Sequence, residues 1–230
     1  MDILAELEDF IKEFNQDNQE DFNIDTIRIT FDKQHKKDKL LQFGNWKKIN
    51  KNDRRILSKL KERLRVDEIT TAYQLEKHNI YYYNQSDITK KYRKATMVIF
   101  GMKQYHKDPP PYNIINNLFN MLVYGTSKVS VNIDVCSDTA IKPNIHNLMQ
   151  HFTLKQYVEP KTKTPTETYY INHPNITMIE KLVIYNKRIK NNLNFNVWRV
   201  EALIGIPNIR CLALPLHELK QITDIAKGRL

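Results

Sequence analysis

The sequence predicts an α+β fold, a mainly antiparallel sheet with helices gathered on one of its faces. Three observations predict it. Apolar residues alternate with polar ones in several short runs, they recur at helical spacing between some of those runs, and clusters of proline and asparagine punctuate the changes. At 230 residues and 41% hydrophobic content, the chain has material for one ordinary domain with an appended subdomain.

The elements follow in order. Ile3, Leu4, Leu7, Phe10, Ile11 and Phe14 keep helical spacing, so residues 2–15 read as an acidic amphipathic helix. Ile24 to Phe31 alternates and reads as a strand. Ile56, Leu57, Leu60 and Leu64 mark a second helical stripe, with Asn52 or Asp53 as its N-cap and lysines and arginines on its other face. A strand over 95–103 precedes Pro109, Pro110 and Pro111, and a helix carrying Ile114, Ile115, Leu118, Phe119 and Leu122 follows. Val129, Val131, Ile133 and Val135 alternate in the next strand, after which Pro143 is expected to start a helix bearing Ile145, Leu148, Met149 and Phe152. Extended segments are expected at 166–172, 181–187 and 196–204, and a last helix near 215–227. From residue 95 the order is β, α, β, α, β, β, β, an arrangement of the ferredoxin-like kind that leaves one sheet face free to bind. Residues 1–22 form the acidic helix, and 23–230 a single domain with a basic helical insertion at about 33–70.

Charge points to a partner. The formal net charge is +10, yet residues 1–22 carry eight acids against Lys12 alone, so the remainder is far more basic than the total. Such a surface suits a polyanion. The residues expected to meet nucleic-acid phosphates are Lys47, Lys48, Lys51, Arg54, Arg55 and Lys59, with a second cluster at Lys90, Lys91, Arg93 and Lys94. Tyr81, Tyr82 and Tyr83 could stack on unpaired bases, although a strand with a buried face explains them too. Cys136 and Cys211 show no CxxC spacing, no apolar leader precedes the acidic start, and no run is long enough to span a membrane. A cytoplasmic protein without membrane or structural zinc is expected.

Strand parity picks out candidate chemistry. Asp134 points away from Val131, Ile133 and Val135, while Arg199 and Glu201 share one strand face. Tyr185 and Lys187, two residues apart, are expected to share another. A tyrosine, a lysine, an arginine and two carboxylates could therefore converge on one surface. Single residues of these types more often pack, close a turn or make an ordinary ion pair, so the reading rests on their company.

The pieces Val131-Asn132-Ile133-Asp134-Val135, Thr168-Tyr169-Tyr170-Ile171-Asn172, Leu182 to Lys187 and Trp198-Arg199-Val200-Glu201 together resemble the rolling-circle replication initiators. That group includes the plasmid replication-initiation-factor family and the filamentous-phage replication initiator. Its members carry an acidic strand, a Y-x-K strand and an R-x-E strand in this order, and the likeness covers about residues 95–205. The resemblance implies a nicking transesterase in which Tyr185 attacks a phosphodiester, giving a 5′-phosphotyrosine and a free 3′-hydroxyl. It further implies Mg²⁺ or Mn²⁺ held by Asp134 and Glu201, with Lys187 and Arg199 offsetting charge. Single-stranded or hairpin origin DNA is the implied partner, with a host helicase and polymerase beside it and a homodimer as a possible assembly. The departures are specific. There is no His-x-His pair, Asn132 stands where arginine is common, and no acid follows the tyrosine motif, which leaves a third ligand to Glu167 or Asp138. A non-catalytic DNA-binding initiator or regulator, a conjugative mobilisation relaxase, and an RNA-binding or structural protein are the alternatives.

Overall fold

The computed structural model describes residues 2–32, 40–50, 53, 56–58, 60–61, 69, 71–84, 94–103, 109–125, 129–172, 178–207 and 209–229. The chain is α+β, and every strand pair whose register is defined is antiparallel. It divides into two compact units, one of Met1–Glu6 and Asp25–Val131, the other of Leu7–Ile24 and Asn132–Leu230.

Helix α1 spans Ile3–Asn18. Asp2 caps it by accepting the Ala5 amide at 3.1 Å, which satisfies one of the unpaired donors of the first turn. Leu4, Leu7, Ile11 and Phe14 bury its apolar stripe.

In the first unit, β1 (Asn23–Asp32, here from Asp25), β2 (Trp46–Lys48), β3 (Thr71–Leu75), β4 (Ile80–Asn84) and β5 (Lys94–Phe100) lie in the order β2-β3-β4-β5-β1. Thr30 pairs with Thr96 and Arg28 with Val98, while Tyr81 also pairs with Val98 and Tyr83 with Thr96. One face therefore collects Ala72, Tyr83, Val98 and Phe100, packed with Ile49, Leu57 and Leu60. Two of the three consecutive tyrosines thus serve packing: Tyr83 is buried and Tyr81 leans on that core. Tyr82 turns to the other face beside Phe31 and Tyr73. Helix α2 (Tyr112–Gly125) starts directly after the three prolines, whose fixed φ suits a helix entry, and buries Ile115, Leu118, Phe119 and Leu122. The region expected as a helical insertion contains strand β2 as well as the helical residues 56–58 and 60–61.

The second unit comprises β6 (Val129–Thr139, from Asn132), α3 (Ile145–His151), β7 (Thr153–Val158), β8 (Pro165–Asn172), β9 (Ile179–Asn186), α4 (Lys187–Asn191), β10 (Trp198–Ile206) and α5 (Ala213–Ala226). Its strands lie in the order β6-β10-β9-β8-β7. Asn144, one residue after the expected start at Pro143, caps α3 by accepting the Asn147 amide at 3.0 Å. Helix α5 packs on β10 and α3, burying Leu216, Leu219 and Ile222. Val200, Ala202 and Ile204 of β10 share one face and are buried, the Val200 and Ile204 side chains each contributing about 1.5–3 kcal/mol.

The acidic segment at the amino end has a structural role in this unit. Asn15 donates to the Phe22 carbonyl at 2.9 Å and accepts the Phe22 amide at 3.0 Å, closing the turn after α1. Glu20 then meets Lys227 at 3.4 Å and Arg229 at 3.0 Å, holding the basic residues that follow α5. Burial raises the Glu20 carboxyl above its ordinary value despite those two cations.

Candidate active site

Register assembles the site. Arg199 lies across from Tyr185 and Glu201 across from Val183, so Lys181, Val183 and Tyr185 of β9 share a sheet face with Arg199 and Glu201 of β10. Glu201 sits diagonally between Lys181 and Tyr185, and each of its oxygens meets one of them. The Tyr185 hydroxyl donates to Glu201 Oε2 at 3.0 Å, and Lys181 Nζ donates to Glu201 Oε1 at 2.9 Å. Lys190 Nζ lies over the Tyr185 ring, 4.2 Å from its centre, a favourable place for a cation on the negative face of an aromatic ring. Burial opposes the charge of Glu201, but Lys181, Lys190 and Arg199 outweigh it and hold the carboxyl down at about 2. Glu201 is therefore a carboxylate throughout the neutral range.

A second ion cluster stands on the other side of Tyr185. Arg199 grips Asp138 with two bonds, Nε to Oδ1 at 2.6 Å and Nη2 to Oδ2 at 2.8 Å, and Lys187 Nζ approaches Oδ2 at 4.0 Å. Arg199 is only 1% exposed, so losing its bidentate carboxylate would leave a buried charge uncompensated.

Lys187 reaches this cluster by a different route from the one expected. Strand β9 ends at Asn186, whose side chain accepts the Ile189 amide at 3.2 Å and so caps α4. Lys187 is the first residue of that short helix, not a strand neighbour of Tyr185, and it is buried.

Tyr185, Lys187, Arg199 and Glu201 are thus brought into one polar group, with Lys181, Lys190 and Asp138 completing it. Of the acids on β6, Asp138 holds Arg199. Asp134 keeps the same strand face four residues earlier and is half-buried. Glu167 lies across the neighbouring face, accepts a bond from Asn186 and pairs with Lys142 at 3.6 Å, so it is not a third ligand beside Glu201. Among the described residues no three His, Cys, Asp or Glu side chains stand together in a way that could hold a metal ion. In this arrangement both Glu201 oxygens are engaged, one by Tyr185 and one by Lys181.

Of the residues expected to meet phosphates, Lys47 and Lys48 are exposed on β2. Lys51, Arg54, Arg55, Lys59, Lys90, Lys91 and Arg93 lie outside the described residues, as does the side chain of Lys94, which opens β5. No described helix is long and apolar enough to cross a membrane.

Two site residues were missed by the reading of motifs. Lys181 was discoverable by period two, four residues before Tyr185 on the same strand, and Lys190 required the helical turn at 187–191. Asp138, expected as a candidate ligand, is the partner of Arg199, a role that depends on the neighbouring of β6 and β10.

No family model matches the chain, and neither does any curated protein. Among solved structures, it is similar to the rolling circle replication initiator protein from Geobacillus stearothermophilus, at 16% identity over 80% of this chain and 73% of that one, with a TM-score of 0.39.

Proposed function

We propose that this chain is a DNA replication initiator that binds an origin and nicks one strand through Tyr185. The observation that carries the reading is the 3.0 Å bond from the Tyr185 hydroxyl to an ionised, buried Glu201 held by three cations, Lys181, Lys190 and Arg199, with Lys187 in the adjoining cluster on Asp138. An isolated phenol has a pKa near 10, so ionising it at pH 7 costs about 4 kcal/mol. The group supplies an oriented hydroxyl and positive charge for the phosphate that would be attacked. A carboxylate held down at about 2 is a weak base, so Glu201 orients the hydroxyl and does not store its proton. In the transfer the Tyr185 oxygen bonds to phosphorus, the bond from phosphorus to the 3′-oxygen breaks, and the phenolic proton ends on that departing 3′-oxygen. The products are a 5′-phosphotyrosine and a free 3′-hydroxyl, and reversal rejoins the strand without ATP.

Tyr185 is only 5% exposed, with the exposed Lys190 over its ring, so a phosphodiester reaches its oxygen only when neighbouring side chains move. The same burial favours a second reading, in which the tyrosine and its ion pairs are structural and the chain is a non-catalytic DNA-binding initiator or regulator. Labelled single-stranded and hairpin oligonucleotides separate the two. A denaturation-resistant protein–DNA adduct that is lost in Tyr185→Phe supports nicking. No adduct on any strand, with binding intact, supports the second reading. Dependence of the adduct on added Mn²⁺ or Mg²⁺, abolished by EDTA, is the readout for the ion implied by the resemblance.

A further inference from the structure

The connection between β9 and β10 is built with care and keeps two large apolar side chains, Ile189 and Phe195, partly exposed. Asn186 caps its helix, the Lys187 and Arg188 amides both donate to the Val197 carbonyl, at 2.8 and 3.2 Å, and the Leu193 amide donates to the Arg188 carbonyl at 3.0 Å. Arg188 Nη1 donates to Asn196 Oδ1 at 3.1 Å, tying the outgoing arm to the returning one. Asn192 takes the left-handed conformation, φ 53, that ends the helix and reverses the chain. On this fixed support Ile189 is 66% exposed and Phe195 45% exposed. Neither fills the core, and both stand in a stretch, Lys181 to Val200, that contains no Asp or Glu.

We propose that this connection is a base-binding finger: Phe195 stacks an unpaired DNA base while Arg188 and Lys190 hold the adjoining phosphates. It deepens the nicking reading, on which its position in catalysis rests, because Lys190 is also the residue over Tyr185. The composition selects the occupant. Cations without acids suit a polyanion, an exposed aromatic ring suits the π-face of any base, and the amides of Asn191, Asn194 and Asn196 suit base edges. A lipid surface would call for a broader apolar face than two side chains among asparagines supply.

The test measures binding in a Tyr185→Phe background, so that it does not depend on cleavage. The probes are oligothymidylate, an abasic phosphodiester strand of equal length, and vesicles of anionic phospholipid. Phe195→Ala is expected to weaken oligothymidylate binding roughly tenfold, the worth of one stacked base, with abasic-strand binding unchanged and Phe195→Trp restoring affinity. Equal loss on both strands, or no loss on either, overturns the proposal. So does a Phe195-dependent affinity confined to the vesicles. A failed adduct assay together with Phe195-dependent base binding leaves the finger standing and removes only its catalytic role.

Discussion

Replacing Lys181 with Met keeps the apolar stem and removes the ammonium that bonds Glu201 at 2.9 Å. The magnitude follows from the carboxyl it holds. Glu201 is moved from 4.5 to about 2, and a difference of that size between folded and unfolded chains corresponds to about 3 kcal/mol of stability at neutral pH. Lys190 and Arg199 share the effect, so Lys181→Met is expected to cost about 2 kcal/mol at pH 7. The sign with pH is defined. A depressed carboxyl adds stability above its unfolded pKa and loses it as pH falls through the folded value. The deficit of the variant should therefore shrink to about 1 kcal/mol at pH 3 and largely vanish at about pH 2. Urea unfolding of both proteins at several pH values between 7 and 2 measures it. A deficit that stays constant across that range would refute the argument, because the loss would then come from packing and not from the carboxylate.

Asp138→Asn leaves Arg199 and Lys187 buried with their shared carboxylate neutralised, and a loss of about 3–5 kcal/mol is expected in chemical denaturation. Lys190→Ala should lower the slope of log affinity for single-stranded DNA against log salt by about 0.7, the change expected for one lost phosphate contact, in titrations at several salt concentrations.

The parts of the fold that could be read beforehand are those with uninterrupted periodicity. The stripe from Leu4 to Phe14 and the alternation through Val131, Ile133 and Val135 hold in the structure, since each has one face to bury. Strand β7 escaped because Thr153–Val158 has mostly exposed side chains and directly follows a helix, so it offers no apolar alternation to detect. The end of β9 escaped for another reason: Asn186 closes a strand and opens a helix at once, and a side-chain cap is a local bond that hydrophobic pattern does not register. Tyr185, Arg199 and Glu201 are singled out by the motifs that carry the resemblance, and period two places them on strand faces. Their partners depended on register across strands distant in sequence: Asp138 reaches Arg199 over 61 residues, and Lys181 meets Glu201 over 20. Of the eight acids in residues 1–22, Glu20 bonds Lys227 and Arg229, and Asp2 caps the first helix.

The central claim concerns one oxygen atom, and peptide mapping of a trapped adduct examines that atom directly. The protein is incubated with a labelled single-stranded oligonucleotide, denatured, digested and analysed by mass spectrometry. The account predicts a nucleotide joined through phosphate to the peptide containing Tyr185. A nucleotide on any other residue, or DNA that is bound and released with no covalent product, would contradict it.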